Sequence, residues 1–390
     1  MREIDEGDRA ASTRRGAARL AVGVSGMCAF LDLYATQPLL PTLERQFNVS
    51  KAGASLTVSV STAAVALAAP FVGLAADRLG RKRVIVPAMF VLAIPTMLAA
   101  TAQTLPALVA WRFLQGLVMP AVFAVMIAYV TEEFAGRGVG AAMAALVTGN
   151  VLGGFSGRVI AGLVTSVADW RLAFVVLGVL NVVGALVTWA WLPTEQHFTR
   201  HTAPFAIMPH LRNRQLMATY AVGFSVLFSL VATFNYVNFY LADPPFSLGP
   251  ALLSSIFVVY LVGVFVTPMA GRWIDRFGSR RTLTGALLIS AAIMPLTLTH
   301  NLALVAIGLA VCSSAVFVCQ SSSTSYLQHA APLATRSSAA GLYVAFYYLG
   351  GSVGGELPGL LWRWSGWPGC VGLVIAAQLA TIAVAWRFWA

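Results

Sequence analysis

The sequence predicts an all-α integral membrane protein, with twelve transmembrane helices arranged as two pseudo-symmetric six-helix bundles. Three observations carry that prediction: the composition, the recurrence of apolar runs, and an internal repeat. Of 390 residues, 58% are hydrophobic and 10% charged, whereas a soluble domain carries roughly 25% charged residues. A water-soluble enzyme is thereby excluded. One crossing takes about 20 apolar residues, so the chain has room for about twelve helices, short connections and no separate soluble domain.

Apolar runs recur at 20–41, 52–75, 84–103, 106–130, 138–165, 171–192, 215–241, 250–274, 282–299, 302–327, 338–362 and 367–389. Each reads as a helix, because in lipid only a helix satisfies its own N–H and C=O groups within one segment. Pro70, Pro95, Pro120, Pro268 and Pro295 inside the runs are compatible with this, since proline is common in membrane helices. Residues 1–18 carry mixed charge without the apolar centre of a cleavable signal peptide, and are expected to form a short disordered cytoplasmic arm. The expected organisation is that arm, a first bundle over 19–192, a cytoplasmic linker over 193–214 and a second bundle over 215–390.

The net charge of +11 raises nucleic acid as a partner, but the basic residues sit in short clusters between apolar runs instead of on one basic face. They read as orientation signals. With the N-terminus inside, nineteen Lys and Arg fall on cytoplasmic segments and four (Arg45, Lys51, Arg171, Arg363) on outer ones, while Arg112 and Arg158 lie within spans. Both termini are expected to be cytoplasmic. Cys28, Cys312, Cys319 and Cys370 lie inside apolar runs without CxxC spacing, so they read as packing residues.

The halves match at the loop after the second span of each. PFVGLAADRLGRKR and PMAGRWIDRFGSRR align at an offset of 198, pairing Pro70 with Pro268, Gly73 with Gly271, Asp77 with Asp275, Arg78 with Arg276, Gly80 with Gly278 and Lys82 with Arg280. Such a repeat is the sequence sign of a secondary transporter whose substrate site lies between the bundles near the membrane midplane.

GLAADRLGRKR closely resembles the loop signature of the major facilitator superfamily, and with the second copy and the span count the resemblance covers essentially the whole chain. RFLQG, from Arg112 to Gly116, is similar to the family's fourth-helix motif. Gly140, Gly149, Gly153 and Gly157 reproduce the glycine spacing of its fifth-helix antiporter motif, although that motif usually has Pro after the third glycine and ends in two glycines, where this sequence has Gly154 and Gly157-Arg158. DLYATQPLLP and AAGLYVAFYYLGGSVGG resemble the twelve-helix drug:proton antiporter and sugar-efflux branch. The resemblance implies a bacterial cytoplasmic (inner) membrane protein that exports small organic compounds against protons by alternating access. It also implies a cytoplasmic gate formed by Gly73, Asp77, Arg78, Gly80, Arg81 and Lys82, with Asp275 and Arg276 in the second copy. Asp77 is expected to meet the N-terminal dipole of the eleventh helix, and Glu132 or Glu133 to pair with Arg78 or Arg81. The alternative is that these charges only mark topology.

Charges inside the spans need a reason, since each costs about 2.5 to 3.5 kcal/mol at the bilayer centre. Asp32 and Arg112 differ in depth by about 5 Å at 1.5 Å per residue, a gap their side chains can close. A carboxylate facing an arginine in a water-accessible cavity can take up and release a proton as the cavity alternates. Asp32 is therefore the expected proton carrier and Arg112 the group that tunes it; the alternative for Asp32 is a helix-bundle hydrogen-bonding role. Arg158 and Glu356 share the 198-residue offset and are candidates for a second ion site or for the cavity, or else snorkel to the outer interface. Asn235, Asn238, Gln320, Tyr343 and Tyr347 are candidate cavity walls, with helix packing as the alternative. The antiporter-motif glycines are expected to bring the fifth helix close to a helix of the other half.

The leading function is proton-coupled export of drug-like or sugar-like compounds. A metabolite importer or uncoupled facilitator on the same fold is the first alternative, and a non-transporting sensor or membrane enzyme the distant one. His197, His201, His210, His300 and His329 have no HExxH spacing, and no P-loop is present, so neither a metal, a cofactor nor ATP-driven pumping is indicated. The expected partners are a small-molecule substrate, protons and the lipid bilayer. Two matched halves already make a complete unit, so a monomer is expected.

Overall fold

The computed structural model describes residues 2–134, 138–195, 208–332 and 335–389. Ten of its helices are long and apolar enough to cross a membrane; the last of them is two helices joined at Gly366, whose φ of 62° interrupts the α conformation. The apolar helix Gly16–Leu31 adds one more crossing, giving twelve among the described residues. In chain order they are α1 (Arg2–Leu31), α2 (Lys51–Leu79), α3 (Arg81–Ala99), α4 (Leu105–Glu133), α5 (Val139–Val167), α6 (Trp170–Trp191), α7 (Arg214–Ala242), α8 (Pro250–Phe277), α9 (Ser279–Leu298), α10 (Leu302–Ala330), α11 (336–365) and α12 (367–388). The connections after α2 and α8 mark one end of the molecule, called here the basic end; the opposite end is the far end. Arg137, Arg200 and the middle of the expected linker lie outside the described residues, and the short helix Met208–Arg212 immediately precedes α7.

Two expectations change here. The segment expected to be a disordered arm is helical from Arg2 onward, because its Ala, Arg and Glu residues are good helix formers that extend a helix already nucleated by α1. The first apolar run is not one helix. After Leu31 the chain passes through turns over 32–36, a 3₁₀ turn Gln37–Leu39 and a short helix Leu40–Phe47. Pro38 and Pro41 lack the N–H groups that a continuous helix would need there.

Elsewhere local chemistry sets the helix starts. Ser50 and Thr104 accept the backbone N–H of Gly53 and Ala107, and Asn213 and Asn301 cap α7 and α10 in the same way. Gly80 and Gly278, paired in the repeat, both take positive φ (95° and 81°), a conformation that glycine adopts without steric penalty and that turns the chain from α2 into α3 and from α8 into α9.

The repeat is visible in the packing. A Cβ on Gly153 or Gly157 of α5 would strike the backbone of Met27 or Leu31 of α1, and one on Gly350 or Gly354 of α11 would strike Phe224 or Phe228 of α7. Both pairs of contacts are related by an offset of 197. Gly149 likewise meets the backbone of Gly23, while Gly140 has open space around it. These glycines therefore seat α5 against α1 of its own bundle and not, as expected, against the other half, because the inward stripe of α5 faces its bundle partner. Leu67, Phe71, Trp189, Phe265 and Trp364 lie on the outside among other exposed large apolar side chains, a surface suited to lipid and not to water. All four cysteines are free and buried.

Candidate functional site

A cavity of about 410 Å³ lies between the bundles. α1 contributes Phe30 and Tyr34; α5 contributes Asn150, Gly154 and Arg158; α7, Leu227 and Leu230; α8, Tyr260 and Thr267; α10, Val316, Phe317, Gln320, Ser321 and Thr324; and α11, Tyr347 and Tyr348. Thr267, Ser321 and Thr324 also belong to a groove that continues through Gly271, Asp275 and Gln328 toward the basic end. The cavity thus opens there.

At the far end the bundles are joined. Gln37 Nε2 donates to Asn235 Oδ1 at 2.8 Å, and Ser59 Oγ donates to Glu356 Oε1 at 2.7 Å. Lys51 Nζ bridges Glu44 (3.3 Å) and Asp243 (3.4 Å) and lies over the rings of Phe239 and Trp362. A Cβ on Gly162 would come within 2.5 Å of the Pro250 carbonyl, so α5 touches α8 directly.

Arg158 forms the ceiling of the cavity and is only 2% exposed. Its Nε donates to Gln37 Oε1 at 2.7 Å and Nη1 to the Gly154 carbonyl, while its guanidinium lies 4.8, 4.7 and 4.6 Å from the ring centres of Tyr34, Phe257 and Tyr260. It turns inward and does not snorkel. Glu356 points elsewhere, toward α2. The glycine contacts explain why: they match Arg158 with Gly355, one residue short of Glu356, so the two charges stand on different helix faces.

Asp32 does not line the cavity. It sits in the turn that breaks α1, is fully buried, and faces into the first bundle, where its Oδ2 accepts from Asn181 Nδ2 (2.6 Å) and Thr96 Oγ1 (3.0 Å). Its Oδ1 is buried and has no hydrogen-bond partner among the described residues. The expected direct contact between the Arg112 guanidinium and this carboxylate is replaced by another arrangement. Arg112 donates to the backbone carbonyls of Asp32 (2.9 Å), Leu33 (2.5 Å) and Thr57 (2.9 Å), and to Gln115 Oε1 (2.5 Å). The physical reason is the break itself: the Asp32 and Leu33 carbonyls, in the turn after α1, need donors in a low-dielectric interior, and the Thr57 carbonyl of the neighbouring α2 steadies the same guanidinium. Gln115 Nε2 donates to Thr96 Oγ1 at 2.8 Å, so Arg112 still reaches the carboxylate through Gln115 and Thr96.

At the basic end, Arg81 makes an ion pair with Asp77 (2.7 Å) and two hydrogen bonds to Glu132 (3.0 and 2.7 Å), joining α2, α3 and α4. Of the expected glutamate pairings, this is the one described. Asp77 is engaged within its own bundle, at the opposite end of α2 from the Ser59–Glu356 contact with α11. Lys82 Nζ donates to the Leu192 carbonyl at the end of α6, and Arg280 Nη1 to the Trp389 carbonyl at the end of α12 (2.9 Å), the same contact in both halves. Arg78, Asp275 and Arg276 are exposed; Gly73 is helical.

Among the candidate wall residues, Gln320 and Tyr347 line the cavity. Asn235 belongs to the far-end seal, Asn238 donates to the Phe234 carbonyl, and Tyr343 bonds Ser323 at 2.7 Å. Sequence reasoning missed Tyr34, Phe257, Tyr260, Thr96 and Asn181. Tyr34 lies two residues from Asp32 and was within reach of inspection; the others have no local signal.

Two helical bundles enclosing a polar-ended cavity, sealed at one end and open at the other, define a secondary transporter. Residues 22–355 match the model of the Major Facilitator Superfamily, and the chain belongs to that family. It is 32% identical to the uncharacterized MFS-type transporter YybF of Bacillus subtilis (strain 168) over 92% of this chain and 90% of that protein. It is also 33% identical to the inner membrane transport protein YnfM of Escherichia coli (strain K12), over 92% and 87%. In fold it is similar to the crystal structure of a mutant of the nucleoside transporter NupG, with a TM-score of 0.78 at 14% identity, covering 96% of this chain and all of that one. The protein is accordingly a multi-pass membrane transporter and not an enzyme.

Proposed function

We propose that this transporter exports small organic compounds in exchange for protons, with both termini and the basic end in the cytoplasm. On that reading the far-end seal is the closed outer gate, and the structure is an inward-facing state. The observation that carries the proposal is the broken segment of α1. Within eight residues it places Phe30 and Tyr34 on the cavity wall, Asp32 in a buried polar cluster, and Gln37 between Arg158 of the cavity and Asn235 of the seal.

Asp32 is the proton carrier in this scheme. Its unpartnered Oδ1 is the position where a proton sits, and Arg112 holds the first two carbonyls of the break. Loading or unloading Asp32 changes what Asn181 and Thr96 donate to, and the movement is transmitted along the break to Tyr34 and Gln37. Arg81, Asp77 and Glu132 hold the basic-end ends of α2, α3 and α4 together as one body while the bundles rock.

The test is proton flux in proteoliposomes carrying a pH gradient, challenged with lipophilic cations, neutral drugs, sugars, amino acids and organic acids, for the wild type and Asp32→Asn. Compound-dependent proton movement that the substitution abolishes is the expected result. Substrate movement without protons, or normal coupling in the variant, refutes Asp32 as the carrier.

A further inference from the structure

We propose that the molecule held in the central cavity is an organic anion, a monocarboxylate or its equivalent with an aromatic or apolar body, and that Arg158 binds its charge. This rests on the reading of that cavity as the substrate site.

The first argument is the charge inventory. Among the described residues, Arg158 is the one Lys, Arg, Asp or Glu lining the cavity. Asp32 faces away into the first bundle, and Glu356 is bonded to Ser59 at the seal. The cavity wall therefore carries a single positive charge.

The second is the state of that charge. A guanidinium has five N–H donors, and the contacts described to protein acceptors are those of Nε with Gln37 and Nη1 with Gly154. No ion pair to Arg158 is present among the described residues. Three ring faces within 4.8 Å offset part of the cost of burying it, but a buried cation at membrane depth still calls for a counter-charge. A carboxylate can accept two parallel N–H bonds from the planar fork. A cationic substrate would be repelled at the ceiling, and a neutral one would leave the charge uncompensated.

The third is the rest of the lining. Below Arg158 the walls carry Phe30, Val316, Phe317 and Tyr347, with Asn150 and Gln320 among them, and Thr267, Ser321 and Thr324 form a polar group toward the open end. A volume of about 410 Å³ suits a drug-sized body. The order is anion at the ceiling, apolar body in the middle and at most a weakly polar tail at the mouth.

The test uses the full chain in nanodiscs of zwitterionic lipid, without a proton gradient. Titration calorimetry compares 1-naphthoate, 1-naphthamide and 1-naphthylmethylammonium, and the same three head groups on benzene and pyrene, to separate charge from size. The carboxylate of the best-fitting ring is expected to bind at least about tenfold more tightly than its amide, the scale of a charge-assisted bidentate contact, with the ammonium weakest. Arg158→Gln is expected to lower carboxylate affinity about tenfold or more and to leave the amide within about threefold, while Arg158→Lys keeps part of the preference. Amide or ammonium binding as tight as carboxylate, no carboxylate binding at all, or wild-type carboxylate affinity in Arg158→Gln overturns the proposal. Should Arg158→Gln fail to fold, the wild-type ranking of the three head groups decides alone. Because binding is read at equilibrium, carboxylate binding without coupled proton flux sinks proton exchange and leaves this inference standing, whereas proton flux driven by cations does the reverse.

Discussion

The two bundles share a backbone plan but not a chemistry. At the 197-residue offset set by the α1–α5 and α7–α11 glycine contacts, Asp32 corresponds to Ser229, Asn181 to Gln378 and Arg112 to Leu309. In the first bundle this layer is a charged network around a broken helix. In the second, α7 runs unbroken from Arg214 to Ala242, Ser229 and Gln378 line a small void, and Gln378 Nε2 donates to Ser290 Oγ at 3.0 Å. A continuous helix satisfies its own carbonyls, so the second bundle has no need of a buried guanidinium at this level. The break, and not the charge, is the primary difference: once α1 opens, Arg112 is required to hold it. The basic end repeats the lesson, since Arg81 with its partners Asp77 and Glu132 has Ser279 as its counterpart.

The comparison is broken most severely by giving the first bundle the second bundle's residue. Arg112→Leu leaves the Leu33 and Thr57 carbonyls buried without this donor and strands the Gln115–Thr96 chain. Removing one member of such a buried charged network costs about 3 to 5 kcal/mol. The expected outcome is a large fall in the unfolding temperature in detergent together with loss of transport, and a wild-type unfolding temperature would contradict the clamp role. Asp32→Ser, again the second bundle's residue, is next. It keeps a hydroxyl near Asn181 and Thr96, so folding and ligand binding are expected to persist while proton-coupled flux falls by about two orders of magnitude or more. Retained coupling would show that the asymmetry at this layer is structural.

Much of the architecture was legible because it depends on short-range pattern. The apolar runs gave the crossings, the matched loops gave the repeat, and Arg81 with Glu132 could be proposed because both lie at the same end of neighbouring spans. The α1 break was also encoded, in Pro38 and Pro41, but proline inside a membrane helix is too common to force that reading. What stayed hidden depends on which helix faces which. Phe257 and Tyr260 stand around Arg158 only because α8 packs on α5 at Gly162, and Thr96 and Asn181 reach Asp32 only because α3 and α6 close on that face of α1. Nor could the sequence reveal that the repeat shifts from 198 to 197 residues between the loop signature and the α5 and α11 glycines. That single residue separates Arg158 from Glu356 by about 100° around a helix, which is why their numerical match did not give them equivalent places.

Arg81→Ser tests the asymmetry at the basic end. It removes the ion pair to Asp77 and both hydrogen bonds to Glu132, leaving two carboxylates near one another. A partly buried bidentate contact of this kind is worth about 2 kcal/mol, so a moderate fall in unfolding temperature and a roughly tenfold slower transport rate are expected, with equilibrium ligand binding little changed. The reciprocal change, Ser279→Arg, has no counterpart to Glu132 prepared for it and is expected to gain nothing in stability.

The smallest effect comes where the bundles agree. Lys82 and Arg280 each close the end of the last helix of their bundle, on the Leu192 and Trp389 carbonyls. A cation at a helix C-terminus contributes about 0.3 to 1 kcal/mol, and a single hydrogen bond to a part-buried carbonyl adds a modest amount to that. Lys82→Ala and Arg280→Ala are therefore expected to lower stability by similar amounts of about 1 kcal/mol, measured as paired unfolding midpoints, and to be additive in the double variant because the two sites share no partner. Arg280 also lies 4.5 Å from the Trp386 ring, so any surplus should fall on its side. A markedly larger loss for Lys82 would mean that its ammonium also holds the Glu195 carboxylate, which accepts the Lys82 backbone N–H at 3.1 Å, and that the two ends are alike in geometry but not in load.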